Sequence, residues 1–129
     1  MAIVTQFLVE LKNRPGSLAE TCSQLAAKAV NIQAISVPRA GDFSTVRLVV
    51  NQTVAARKVF DSMGIKYSEE DVLSVRVSDR PGSLGRMTRK LAENKINIEY
   101  VYGTIEKGAS GALVIVSVSN LKKAAQLLK

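Results

Sequence analysis

Apolar and polar positions alternate from Ile3 to Leu11, with Ile3, Phe7, Val9 and Leu11 on one side and Gln6 and Glu10 on the other. A period of two over that length predicts a strand. The spacing then lengthens: Leu18, Cys22, Leu25 and Ala29 recur every three or four residues, the stripe of an amphipathic helix. Asn31 closes that helix, and an extended segment runs from Ile32 to Pro38. Gly41-Asp42 turns the chain into the strand Phe43 to Val50, a hairpin signature. A second helix, Thr53 to Met63, and a strand, Ile65 to Glu70, complete the set.

The same succession then begins again. Val72 to Val77 predicts a strand with Leu73, Val75 and Val77 inward and Arg76 outward, and Leu84, Met87 or Thr88, and Leu91 mark the next helix. Asn97 closes it. Ile98 to Ile105 and Gly111 to Val118 predict strands around a Lys107-Gly108 turn, and Leu121 to Leu128 a final helix. The pentapeptide Arg-Pro-Gly-Ser-Leu occurs at Arg14 to Leu18 and again at Arg80 to Leu84. Sliding Arg14 onto Arg80 also superposes Val9 on Val75, Leu25 on Leu91 and Asn31-Ile32 on Asn97-Ile98. Agreement sustained over that length marks a duplicated module.

The order strand, helix, strand, strand, helix, strand is that of a ferredoxin-like sandwich, an α+β fold with an antiparallel sheet and both helices on one face. The first unit is expected over residues 1–70 and the second over 71–129. Aligning Gly41 with Gly108 places Lys129 opposite Ser62, so the second unit stops before its last strand. Val72 to Val77 is then left with one unpaired, apolar edge, which invites association. Two arrangements would cover it: a homodimer, or a strand exchanged between the halves.

Composition narrows the chemistry. Two units of about 65 residues can each only marginally bury a core, and the apolar fraction of 47% lets them lean on each other or on a second chain. The formal charge is +7, but the 18 basic residues are spread over both halves and the densest cluster is only Arg86, Arg89 and Lys90. That is a solvated helix face rather than a phosphate track, so nucleic acid is not the expected partner. The chain contains no histidine, which removes the usual general base near neutral pH and the commonest zinc ligand. The reading is a non-enzyme with no cofactor and no metal site. No run approaches the roughly 18 apolar residues that span a bilayer, so no membrane partner is expected. The start Met-Ala-Ile-Val-Thr-Gln lacks a basic segment followed by an apolar one, and one cysteine, Cys22, forms no internal disulfide. Both point to the cytoplasm. Cys22 itself is expected as a packed thiol on the helix stripe.

The repeated loop carries the candidate chemistry. Proline suits a first helical turn, and glycine lets another chain or a ligand approach the backbone. Free N–H groups at the helix start form a seat for an anion such as an α-carboxylate. Asn13 or Asp79, just before the turn, is able to accept hydrogen bonds from an α-ammonium group; capping the helix is an equally open role. The copies differ. Ser17 and Glu20 make a possible capping box, whereas the second copy has Arg86 in place of Glu20. Its helix start keeps more positive potential, and Asp79 brings a formal charge, so the second loop is expected to be the better site.

Asn13-Arg14-Pro15-Gly16-Ser17-Leu18 with Asn31-Ile32, and Asp79-Arg80-Pro81-Gly82-Ser83-Leu84 with Asn97-Ile98, resemble the ACT domain, a small regulatory module that binds amino acids. The resemblance covers nearly the whole chain. It implies a ligand held by the loop after the first strand together with the start of the second strand of a neighbouring domain, which brings in Asn31, Ile32, Asn97 and Ile98. Tyr100 and Tyr102, placed on the same strand face as Ile98, would line the ligand or fill the interface between sheets. The function implied is an amino-acid sensor acting on a partner or on its own assembly. A regulatory subunit of a biosynthetic enzyme is the nearest alternative. An RNA-binding module of the same strand order is a more distant one, because its base-stacking aromatics are missing from Phe43 to Val50 and Gly111 to Val118 apart from Phe43.

Overall fold

The computed structural model describes residues 1–39, 41–105 and 111–129; the Lys107-Gly108 turn lies outside them. Ten elements follow in order: β1 (Ala2–Lys12), α1 (Ser17–Ala27), β2 (Ile32–Ser36), β3 (Phe43–Val50), α2 (Thr53–Ser62), β4 (Tyr67–Val77), α3 (Ser83–Glu93), β5 (Ile98–Ile105), β6 (Ala112–Val118) and α4 (Leu121–Leu127). They form two compact units. The first is Thr5–Glu70, and the second joins Met1–Val4 to Asp71–Lys129.

In the first unit the strand order is β2-β3-β1-β4. β1 and β3 run antiparallel with Phe7 opposite Leu48 and Val9 opposite Val46, and β2 pairs antiparallel with the other side of β3. Glu10 N–H donates to the Lys66 carbonyl, and Gln6 Nε2 to Glu70 Oε1, so β4 runs antiparallel to β1. The core gathers Phe7, Val9, Leu25, Val46, Leu48 and Phe60. Phe7, Phe60 and Tyr67 meet edge-on or tilted at centroid distances of 5.2–5.9 Å, the arrangement that the ring quadrupoles favour. Gln6 is fully buried rather than outward-facing, its amide bonded to Glu70.

In the second unit the order is β5-β6-β4-β1, with Ala2–Val4 of β1 in the place of the last strand that Asp71–Lys129 lacks. Of the two ways to cover the edge of β4, the chain uses its own start. Glu69, Glu70 and Asp71, which look like a break in the sequence, lie inside one continuous 11-residue strand. β4 pairs antiparallel with β6 and β6 with β5. The core is aliphatic, built around Leu73, Val75, Met87, Leu91 and Val116.

The helix stripes keep the expected Leu25, Met87 and Leu91 but pass through Thr21 and Ser83 in place of Cys22 and Leu84. Thr21 and Leu25 are buried in α1, and Ser83, Met87 and Leu91 in α3. Leu18 and Leu84, the leucines of the repeated pentapeptide, are 37% and 47% exposed, and Cys22 is half-buried. Spacings of three and four allow either stripe. The observed one tolerates polar residues because Thr21 Oγ1 donates to the Ser17 carbonyl and Ser83 Oγ lies 2.6 Å from Ser78 Oγ.

Candidate functional site

The repeated loop is a β-turn placed ahead of a helix. Ser17 N–H donates to the Arg14 carbonyl at 3.3 Å and Ser83 N–H to the Arg80 carbonyl at 3.1 Å. Proline thus occupies the second turn position and glycine the third, where φ is +94° at Gly16 and +89° at Gly82. That is the Pro-Gly signature of a type II turn. One expectation is corrected here. The prolines precede the helices instead of opening them, since α1 and α3 start at the serines. The glycines are required for their positive φ; nothing lies within 4 Å of a Cβ placed on Gly16, and at Gly82 only the Arg86 guanidinium comes close.

The capping box is absent. Gly16 and Gly82 are the cap residues, neither helix has a side-chain cap, and Glu20 Oε1 instead accepts from Gln24 Nε2. Beyond Ser17 and Ser83, whose N–H groups close the turns, the first-turn N–H groups have no side-chain acceptor, and their partial positive charge is available to an anion. In α3 the Arg86 guanidinium adds to it, donating from Nη2 to Ser83 Oγ at 3.1 Å.

Asn13 and Asp79 are held differently. Asn13 N–H donates to the Asp42 carbonyl and its Nδ2 to the Gly41 carbonyl at 2.9 Å, which ties the loop to the β2–β3 connection. Asp79 is exposed, and among the described residues its carboxylate has no hydrogen-bond or ion-pair partner.

A cavity of about 280 Å³ opens beside the second loop. Ser78, Asp79, Arg80, Ser83 and Tyr102 supply its polar lining, and Val77, Leu84, Val101, Ala112 and Val114, with Gly103, its apolar lining. A β-bulge builds part of that lining. Between Ile98 and Tyr100 the register against β6 shifts, with Ile98 opposite Val118 but Tyr100 opposite Ser117. An extra residue there reverses the alternation. Ile98 packs into the core while Val101 and Gly103, opposite Val116 and Val114, come onto that same face. Tyr100 and Tyr102, opposite Ser117 and Ile115, consequently do not share the face of Ile98 as the simple alternation implies. β2 carries the same bulge between Ile32 and Ala34.

The remaining site candidates separate. Pro81 and Gly82 shape the turn and do not line the cavity. Arg14, Pro15, Gly16 and Ser17 border a broader space of about 870 Å³ whose rim also carries Glu10, Lys12, Glu20 and Lys66. Leu18 and Asn13 are not part of its lining. Asn97 and Ile98 border a third space of about 500 Å³ with Arg89. Asn31 and Asn97 do structural work through their backbones: Asn31 N–H donates to Asn51 Oδ1 and Asn97 N–H to Ser119 Oγ, with the return bonds from the N–H groups of residues 51 and 119. Ile32 packs against the first core. Sequence reasoning missed Ser78, Val101 and Gly103; the signal was Gly103, where the aligned first copy has Val37.

Among the described residues no helix is long and apolar enough to cross a membrane, and no three His, Cys, Asp or Glu side chains converge.

Fold and loop together define a tandem of ferredoxin-like units, each with a Pro-Gly turn ahead of its first helix. The chain belongs to the ACT domain pair family, which it matches over residues 1–128. Among solved structures it is similar to protein BT0572 from Bacteroides thetaiotaomicron, at 25% identity and a TM-score of 0.91, over 98% of this chain and 86% of that one. It also shares its fold with the ligand-free regulatory subunit of aspartate kinase from Thermus thermophilus, at 16% identity and a TM-score of 0.68, over 98% and 89%. The corresponding subunit from Thermus flavus aligns at 12% identity and a TM-score of 0.61, over 98% and 90%. No curated protein matches the sequence.

Proposed function

We propose that the protein is a non-catalytic regulatory module that binds a free amino acid at the second loop and passes the signal to a partner chain or to its own assembly. The supporting observation is the cavity beside Asp79. Its lining offers a carboxylate, an arginine and an uncapped helix start beside apolar side chains. The first-turn N–H groups of α3 and Arg80 suit an α-carboxylate, and Asp79 suits an α-ammonium. Membership of the ACT domain pair family agrees with this reading.

The test is a thermal-shift screen of the twenty amino acids, followed by calorimetric titration. A ligand that prefers the folded protein raises its melting temperature. Asp79→Ala is expected to weaken that ligand about 10-fold to 100-fold, because a charged hydrogen bond contributes about 1.5–3 kcal/mol. Asn13→Ala is expected to leave affinity unchanged, since its amide is engaged with Gly41. The opposite ranking would move the site to the first loop.

A further inference from the structure

We infer that the ligand of this cavity is an amino acid with a small or medium-sized aliphatic side chain, selected by Leu84 and Val101. The inference rests on the amino-acid reading above and adds the chemistry of the side chain.

Three observations converge on it. Size comes first. Ligand sites for drug-sized molecules occupy roughly 300–1,000 Å³, and about 280 Å³ falls just below that range, which suits a small metabolite. Second, the charged lining is limited to Asp79 and Arg80, and past these the cavity offers no further charged side chain. An acidic or basic ligand side chain would lose its water there without gaining a partner, a cost that favours apolar competitors.

The third observation is independent of the cavity's volume. Within Asp71–Lys129, the large hydrophobic side chains that stand exposed among the described residues are Leu84 at 47% and Val101 at 41%, and both line this cavity. Exposed apolar residues that converge on one concave spot mark a place where apolar surface is meant to be covered. Leu84 reaches it because the helix stripe leaves the pentapeptide leucine outside the core. Val101 reaches it because the bulge in β5 turns that residue onto the same face. Gly103 lines the same cavity without a side chain. A Cβ there would come within 2.7 Å of the Leu113 carbonyl oxygen and 3.2 Å of Val114 Cγ2, so the strand holds no side chain at that point.

Titration calorimetry on the full chain with glycine, alanine, valine, leucine, isoleucine, aspartate, glutamate, lysine and arginine tests the inference. The aliphatic members are expected to bind tightest, with affinity falling about four-fold for each methylene removed, the equivalent of about 0.8 kcal/mol per group. Leu84→Ala is expected to weaken leucine binding about ten-fold while leaving alanine nearly unchanged. Val101→Thr keeps the shape and adds a hydroxyl, and is expected to weaken the aliphatic ligands similarly. Leu18→Ala, the same change in the first loop, is expected to do nothing. Both target side chains are substantially exposed, so the variants retain the fold, which their melting temperatures verify. Tightest binding of a charged amino acid, still abolished by Asp79→Ala, would overturn the aliphatic inference and leave the amino-acid reading standing. Binding of none of the nine, with no shift in the twenty-amino-acid screen, would overturn both.

Discussion

The unit Thr5–Glu70 and the unit that contains Asp71–Lys129 carry the same pentapeptide in the same turn, yet Asn13 ahead of the first turn is fastened while the Asp79 side chain ahead of the second has no partner among the described residues. In the first, Asn13 clasps Gly41 and Asp42, and the core is anchored by the trio Phe7, Phe60 and Tyr67. In the second, Asp79 is exposed beside a cavity, and the described core residues are aliphatic throughout. Duplication thus supplies two copies of one backbone, while a few side chains set the two loops apart. An amide in place of a carboxylate closes the first loop onto its neighbour. A glycine stands in place of a valine, Gly103 against Val37, where the second copy's strand lines the cavity.

The largest effects are expected in the cores. Phe60 is fully buried and touches both other rings of its cluster; Leu91 is fully buried in the aliphatic core. Phe60→Ala should cost about 4 kcal/mol and Leu91→Ala about 3 kcal/mol, because each leaves a cavity as well as losing buried surface. Guanidinium unfolding measures both. An equal or larger loss for Leu91→Ala would remove the aromatic trio as the feature that distinguishes the first unit.

Much of this was legible in the sequence. The duplication, the strand and helix order and the missing last strand followed from apolar periodicity and from the repeated pentapeptide. Three things were not. The bulges at Ile32 to Ala34 and Ile98 to Tyr100 carry no glycine or proline to announce them, so simple alternation placed Tyr100 and Tyr102 on the face of Ile98. The stripe through Thr21 and Ser83 was invisible because polar residues occupy core positions by satisfying their hydroxyls locally. The continuity of β4 through Glu69, Glu70 and Asp71 depends on β1 running alongside it, a long-range pairing that local composition does not encode.

The turns provide an intermediate test, since here the two copies should behave alike. Gly16 and Gly82 sit at nearly the same positive φ, a conformation that costs an L-residue about 1–2 kcal/mol. Gly16→Ala and Gly82→Ala should therefore lose similar stability by denaturant titration. The added methyl at residue 82 meets only the flexible end of Arg86 at 3.0 Å, which is free to move aside. A Gly82→Ala loss several times larger would show that the Arg86 guanidinium is fixed over the turn, and would set the two loops further apart than their backbones do.

The smallest expected effect lies on the surface of the first unit. Arg57 donates from Nε and Nη2 to both carboxylate oxygens of Glu69 at 2.8 Å, with the two side chains 39% and 32% exposed. The hydrogen bond from Arg57 holds the Glu69 carboxyl below its ordinary range, outweighing the opposing effect of desolvation. A carboxyl with a lowered folded-state pKa stabilises the fold fully above its unfolded value, and that contribution disappears as pH falls through the lowered value. Glu69→Gln should accordingly melt slightly below the wild type at neutral pH, with the difference closing in acid and shrinking as salt screens the pair. A gap that persists unchanged at low pH would mean that Glu69 stabilises the unit by packing beside Tyr67 and not by its charge. The first unit's stability would then rest wholly on its apolar and aromatic core.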